Sequence, residues 1–96
     1  CGAVKGACDN AKLGNLTSML DKIKPAVSLV TEPTDSNLRN SSNADFVNDV
    51  ATKNVLLSMD NIVKESSVLA EMQAKGEIKI VGAMYDINTG AVHFLN

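Results

Sequence analysis

Apolar residues recur at helical spacing through most of this 96-residue chain, and the period changes only in the last twenty residues. Leu13, Leu16, Leu20 and Ile23 are separated by 3, 4 and 3 positions, one face of an amphipathic helix. Val47, Ala51, Val55, Met59 and Ile62 follow at 4, 4, 4 and 3, and Phe46, Val50, Leu56 and Val63 widen that face. So wide a face implies burial against more than one neighbour. Glu77 to Asp86 is instead rich in β formers, with apolar residues on both sides, as in a strand covered on two faces. Asp86-Ile87-Asn88-Thr89-Gly90 is turn chemistry, and Ala91 to Leu95 can return as the second strand of a hairpin.

Local signals divide the helical part. Residues 1 to about 10 read as a short helix with Ala3, Val4 and Ala7 inward, and Asp9 and Asn10 suit its end. Pro25 has no N–H, so it ends or kinks the next helix near Lys24 and can open a further turn. Residues 31–43 are the most polar stretch and read as a surface loop, with Arg39 on it read first as a solvated charge and second as a partner-binding residue. Ser42 or Asn43 can cap a long helix from about Ala44 to Val63 or Lys64. Ser66 or Ser67 can cap a shorter one through Lys75, with Glu71 and Lys75 paired and Gly76 just past its end.

The totals limit what such a chain binds. Its net charge of −2, with no basic run, gives no support for nucleic-acid binding. No apolar run has the length of a membrane span. Aromatics are 3 % of the residues, so the core must come from Leu, Ile, Val, Met and Ala.

The two cysteines stand apart. Seven positions of helix put Cys1 and Cys8 roughly 10 Å apart along the axis, too far for a disulfide or one tetrahedral zinc site. Cys8 reads as a small buried apolar residue. Cys1 opens the first helix, where partial positive charge and free N–H groups favour thiolate, the form that binds metals. His93 has no ligand partner near it in sequence.

Cys1-Gly2-Ala3-Val4-Lys5 resembles the second half of the His-x-x-Cys-Gly zinc motif of β-class carbonic anhydrases. Gly76 to Val92, with its Gly-x-x-Tyr-Asp run before Thr-Gly, is similar to that family's C-terminal strand and turn. The resemblance extends over the paired helices from Asn54 and is weakest across residues 31–43. It implies an α/β fold, a mostly parallel sheet flanked by helices, of which residues 1–96 form the C-terminal portion of a single domain: the last helices and a terminal hairpin. It implies a Zn²⁺ enzyme in which zinc-bound hydroxide hydrates carbon dioxide reversibly to bicarbonate.

Residue by residue, the resemblance carries over Cys1 as a zinc ligand. Gly2 matches the glycine after it, where close backbone packing at the metal is expected. Tyr85 matches a tyrosine that lines an allosteric bicarbonate site in one subgroup. The matching His and the Cys-x-Asp-x-Arg motif fall outside this sequence, so the portion alone is expected to be inactive. Its expected partners are the upstream portion of the same enzyme and further copies, as a homodimer or higher homo-oligomer. The expected compartment is the cytoplasm, or the periplasm where an upstream part carries a signal peptide. Two other readings compete: a non-enzymatic interaction module that keeps the fold without the metal site, and a lipid-anchored protein acylated at Cys1.

Overall fold

A computed structural model of the chain describes residues 1–95. Its elements run α1 (Gly2–Cys8), α2 (Gly14–Asp21), α3 (Lys24–Leu29), a short 3-10 turn at Ser36–Leu38, α4 (Ala44–Glu65), α5 (Ser67–Ala74), β1 (Ala83–Tyr85) and β2 (Val92–Phe94). The chain divides into two compact units, Cys1–Asn54 and Val55–Asn96, and α4 contributes residues to both.

The helix boundaries sit where local chemistry puts them. α1 ends with Asn10 at φ +54°, while Asn10 N–H donates to Ala7 O and Ala11 N–H to Gly6 O. That pair of bonds satisfies carbonyls the helix leaves free. α5 ends in the same way: Gly76 is at φ +74°, its N–H donates to Gln73 O, and Glu77 N–H donates to Met72 O. Pro25 lies in the first turn of α3, after a break at Lys22 and Ile23. Asn43 Oδ1 accepts from Phe46 N–H at 3.3 Å at the start of α4, and Ser66 Oγ accepts from Leu69 N–H at 3.2 Å at the start of α5. The Glu71–Lys75 pair forms at 2.7 Å, exposed on both sides.

The first unit has the buried core. Val4, Ala7 and Cys8 of α1 are buried, as are Leu20, Ala26, Val30, Phe46, Val47 and Val50. Leu20, Phe46 and Val50 are the largest side chains fully shut from solvent. Gly6 lets α1 come close to α2: a Cβ there would sit 3.1 Å from Leu20 Cδ1. The α2 stripe is less buried than its spacing implies. Leu20 is closed off, but Leu13 and Leu16 are exposed.

In the second unit, Ile62 is exposed and Val55, Met59 and Val63 are half-buried. Gly82 is buried against the helix, and a Cβ on it would fall 2.6 Å from both Met59 Sδ and Val55 Cγ1. β1 and β2 pair antiparallel in the register Ala83↔Phe94, Met84↔His93 and Tyr85↔Val92. Asp86 N–H donates to Ala91 O, Gly90 N–H to Asp86 O, and Gly90 adopts φ +76° to close the turn.

The helices and the hairpin match what is expected of this portion, and the parallel sheet of the full fold is not found among the described residues. Among the described residues the only sheet is this two-stranded antiparallel one. The strand expected from Glu77 begins at Ala83. A strand is a ladder of hydrogen bonds to a neighbour, and β2 is short enough to pair only with the end of that segment. Its expected cover on two faces is missing too, since Val81 and Tyr85 are exposed. Among the described residues no helix is long and apolar enough to cross a membrane.

Candidate functional site

Cys1 is the N-cap of α1, and its backbone carbonyl accepts the first helical hydrogen bond, from Lys5 N–H at 3.1 Å. Its side chain makes no capping hydrogen bond, and the residue is exposed. The thiol is therefore a donor atom at the molecular surface, uncommitted to the helix end it occupies. Gly2 follows on the first turn, and a Cβ there would meet nothing within 4 Å. Among the described residues none makes the close approach expected at Gly2.

Cys8 is the opposite case. It is buried at the other end of α1, and both cysteines are free thiols. Burial pushes the Cys8 thiol up from its ordinary value, and the neighbouring Asp9 carboxylate adds to this. A buried neutral thiol is a poor metal ligand and a poor nucleophile. Cys8 is thus buried, as expected of a small apolar residue, and Cys1 is exposed.

A zinc ion held by protein in a closed site needs four donors at bonding distance. Among the described residues no group of three or more His, Cys, Asp and Glu side chains is arranged to hold a metal ion. Cys1 fits the part of one soft donor, accessible and free. It does not make a site by itself.

Tyr85 lies on β1 in the second unit and is 64 % exposed, directly across from Val92. Ala83, Tyr85, Val92 and Phe94 share one face of the hairpin, because cross-strand partners and alternate residues point the same way. His93 pairs with Met84 on the other face and is exposed. The structure thus brings Cys1 and Gly2 together on α1 and places Tyr85 on an apolar hairpin face.

Sequence reasoning missed the part played by Arg39. Rather than a solvated loop charge, it is half-buried, with Nη1 donating to Val30 O at 2.7 Å and Pro33 O at 3.0 Å. Nη2 donates to Val27 O at 3.0 Å, and the guanidinium carbon lies 4.7 Å from the centre of the Phe46 ring. A planar fork with five donors can satisfy several carbonyls at once and still stack on an aromatic face. Two residues on, Ser41 N–H and Oγ both donate to the Asp9 carboxylate, at 2.8 and 2.6 Å. No local motif marks these partners, which lie 6 to 32 positions away.

A depression of about 330 Å³ lies over the same loop, lined by Asn37, Leu38, Asn40, Ser42 and Asn43. Two of its amides hold the loop: Asn40 Nδ2 donates to Asn37 O and Asn43 Nδ2 to Leu38 O, both at 2.9 Å. Two of its three amides are therefore committed to local structure.

No curated protein matches the chain significantly, and no solved structure does. A family model described as carbonic anhydrase matches residues 1–92. That match runs from the free thiol of Cys1 through both units and the hairpin turn, in agreement with the resemblance at both ends, and by it the chain belongs to the carbonic anhydrase family.

Proposed function

We propose that this chain is the C-terminal part of a zinc-dependent carbonic anhydrase, which hydrates carbon dioxide reversibly to bicarbonate. The observation that carries the reading is the family match over residues 1–92, which starts on an exposed, uncommitted thiol. Cys1 is the zinc ligand this portion contributes, and the remaining donors come from residues outside this sequence. When bound, the metal supplies Lewis acidity that brings the pKa of a water towards neutrality.

The chain's own contribution is to carry the sulfur on the end of a packed helix. α1 is anchored through buried Val4, Ala7 and Cys8, while Cys1 and Gly2 face outward. The ligand is thus held by the core without being enclosed by it. The exposed face of Tyr85, Val92 and Phe94 supports association with further protein, either the upstream portion or another copy.

Cys1→Ser in the complete protein tests the reading. Loss of most bound zinc and most carbon dioxide hydration is expected, with the fold intact by circular dichroism. Full zinc occupancy and normal turnover in that variant would remove Cys1 from the ligand set. Cys8→Ser is expected to keep the metal and to lose stability only, through its buried hydroxyl.

A further inference from the structure

The face that α1 presents to the core has low relief. Its buried residues are Val4, Ala7 and Cys8, and Gly6 rests against Leu20. Small side chains allow a close approach but interlock little, so they fix the distance of a helix better than its direction. Directional contacts come instead at the far end of the helix. Asp9, the C-cap, accepts two hydrogen bonds from Ser41 at 2.8 and 2.6 Å. Ser41 is itself held, because Arg39 is bonded to Val27, Val30 and Pro33 and stacked on Phe46.

We propose that Arg39-Asn40-Ser41 is a staple that sets the direction of α1, making Asp9 and Ser41 positioning residues for the Cys1 thiol. One end of the staple grips the last carbonyls of α3 and the first turn of α4, and the other grips the C-terminus of α1. Eight residues of helix separate Asp9 from Cys1, a lever of roughly 12 Å. A tilt of about 10° at the clamp moves the far end by about 2 Å on such a lever. Misplacement of a reacting or ligating group by about 1 Å is enough to cost a site much of its function. The consequence for the metal rests on the zinc reading above; the consequence for the helix does not.

Residual dipolar couplings of the backbone amides, measured on the ¹⁵N-labelled complete protein with its metal removed by a chelator, read the direction of α1 against α4. Asp9 is exposed and Ser41 half-buried, so Asp9→Asn and Ser41→Ala leave the core in place. Both variants are expected to rotate the couplings of Gly2 to Cys8 as a block, while those of Phe46 to Val50 stay as in the wild type. Ser41→Thr, which keeps both donors, is expected to restore them. Zinc release to a chromophoric chelator is expected to quicken about tenfold in Ser41→Ala and to return in Ser41→Thr.

Superimposable α1 couplings in Asp9→Asn, Ser41→Ala and wild type would overturn the staple, whatever the metal does. Couplings that rotate with zinc release unchanged would overturn its positioning role at Cys1. Couplings that rotate in a protein whose wild type takes up no zinc would uphold the staple and sink the zinc reading alone.

Discussion

The guanidinium of Arg39 lies 4.7 Å from the centre of the Phe46 ring, joining the polar loop to the most buried aromatic of the chain. The same group donates to the carbonyls of Val27, Val30 and Pro33. One side chain thus closes the end of α3, folds the loop after it and covers the first turn of α4. Arg39→Ala removes three hydrogen bonds, although Val27 O keeps its bond from Val30 N–H, and is expected to destabilise the first unit by about 2–3 kcal/mol. Arg39→Lys keeps the charge without the fork and should recover part of the loss. Urea titration of wild type and both variants checks the order; equal stability of all three would show that water replaces the guanidinium at no cost.

Gly82 is where the hairpin meets α4, and a Cβ there would overlap Met59 Sδ and Val55 Cγ1. The thioether can swing away, but the branched Val55 side chain has few rotamers open to it. Gly82→Ala is expected to cost about 1–3 kcal/mol by overpacking. Combining it with Val55→Ala should cost less than the two single changes summed, because the second makes room for the first. Additive losses in a double-mutant cycle would place the strain elsewhere.

Two free thiols at opposite ends of α1 should react very differently. In metal-stripped protein, iodoacetamide at mildly alkaline pH is expected to modify Cys1 faster than Cys8 by on the order of a hundredfold. The Cys8 thiol is pushed up by burial and then by Asp9, so the folded state disfavours its thiolate. A raised folded pKa means that this contribution is whole below the ordinary value of 9.0 and is lost as pH rises beyond it. Peptide mapping after timed alkylation reads the rates, and similar rates for both thiols would mean that α1 opens readily.

The Asp9 carboxyl is held below its ordinary value of 3.8, first by the Ser41 hydroxyl and then by the Ser41 backbone N–H. A lowered folded pKa contributes stability above the ordinary value and loses it as pH falls through the folded one. Thermal melts taken from pH 6 down into that acid range should therefore fall less steeply for Asp9→Asn than for wild type. Parallel pH profiles would show that the unfolded chain keeps the same contact.

Most helix ends were legible without coordinates. Pro25, Asn43, Ser66, Gly76 and Gly90 act through bonds to residues a few positions away, or through their own φ, and such effects travel with the local sequence. The burial of Cys8 and the absence of a Cys1–Cys8 disulfide were legible as well, since helical rise alone separates the two. The turn and the return strand of the hairpin were legible too, but its register and length were not. A strand exists only as far as a neighbour supplies partners, and among the described residues the pairing reaches back from Ala83 only by one bond, from Leu95 N–H to Gly82 O.

Arg39, Ser41 and Gly82 were beyond sequence reading for a common reason. Each draws its importance from atoms brought close by folding: carbonyls at Val27, Val30 and Pro33, a carboxylate at Asp9, and side chains at Val55 and Met59. A polar loop residue looks alike in sequence whether it meets water or three backbone carbonyls. Short-range hydrogen bonding and the period of apolar residues settle where helices begin and end. Only the tertiary packing decides which loop atoms leave water and what they must bond to there, because desolvation depends on distant parts of the chain.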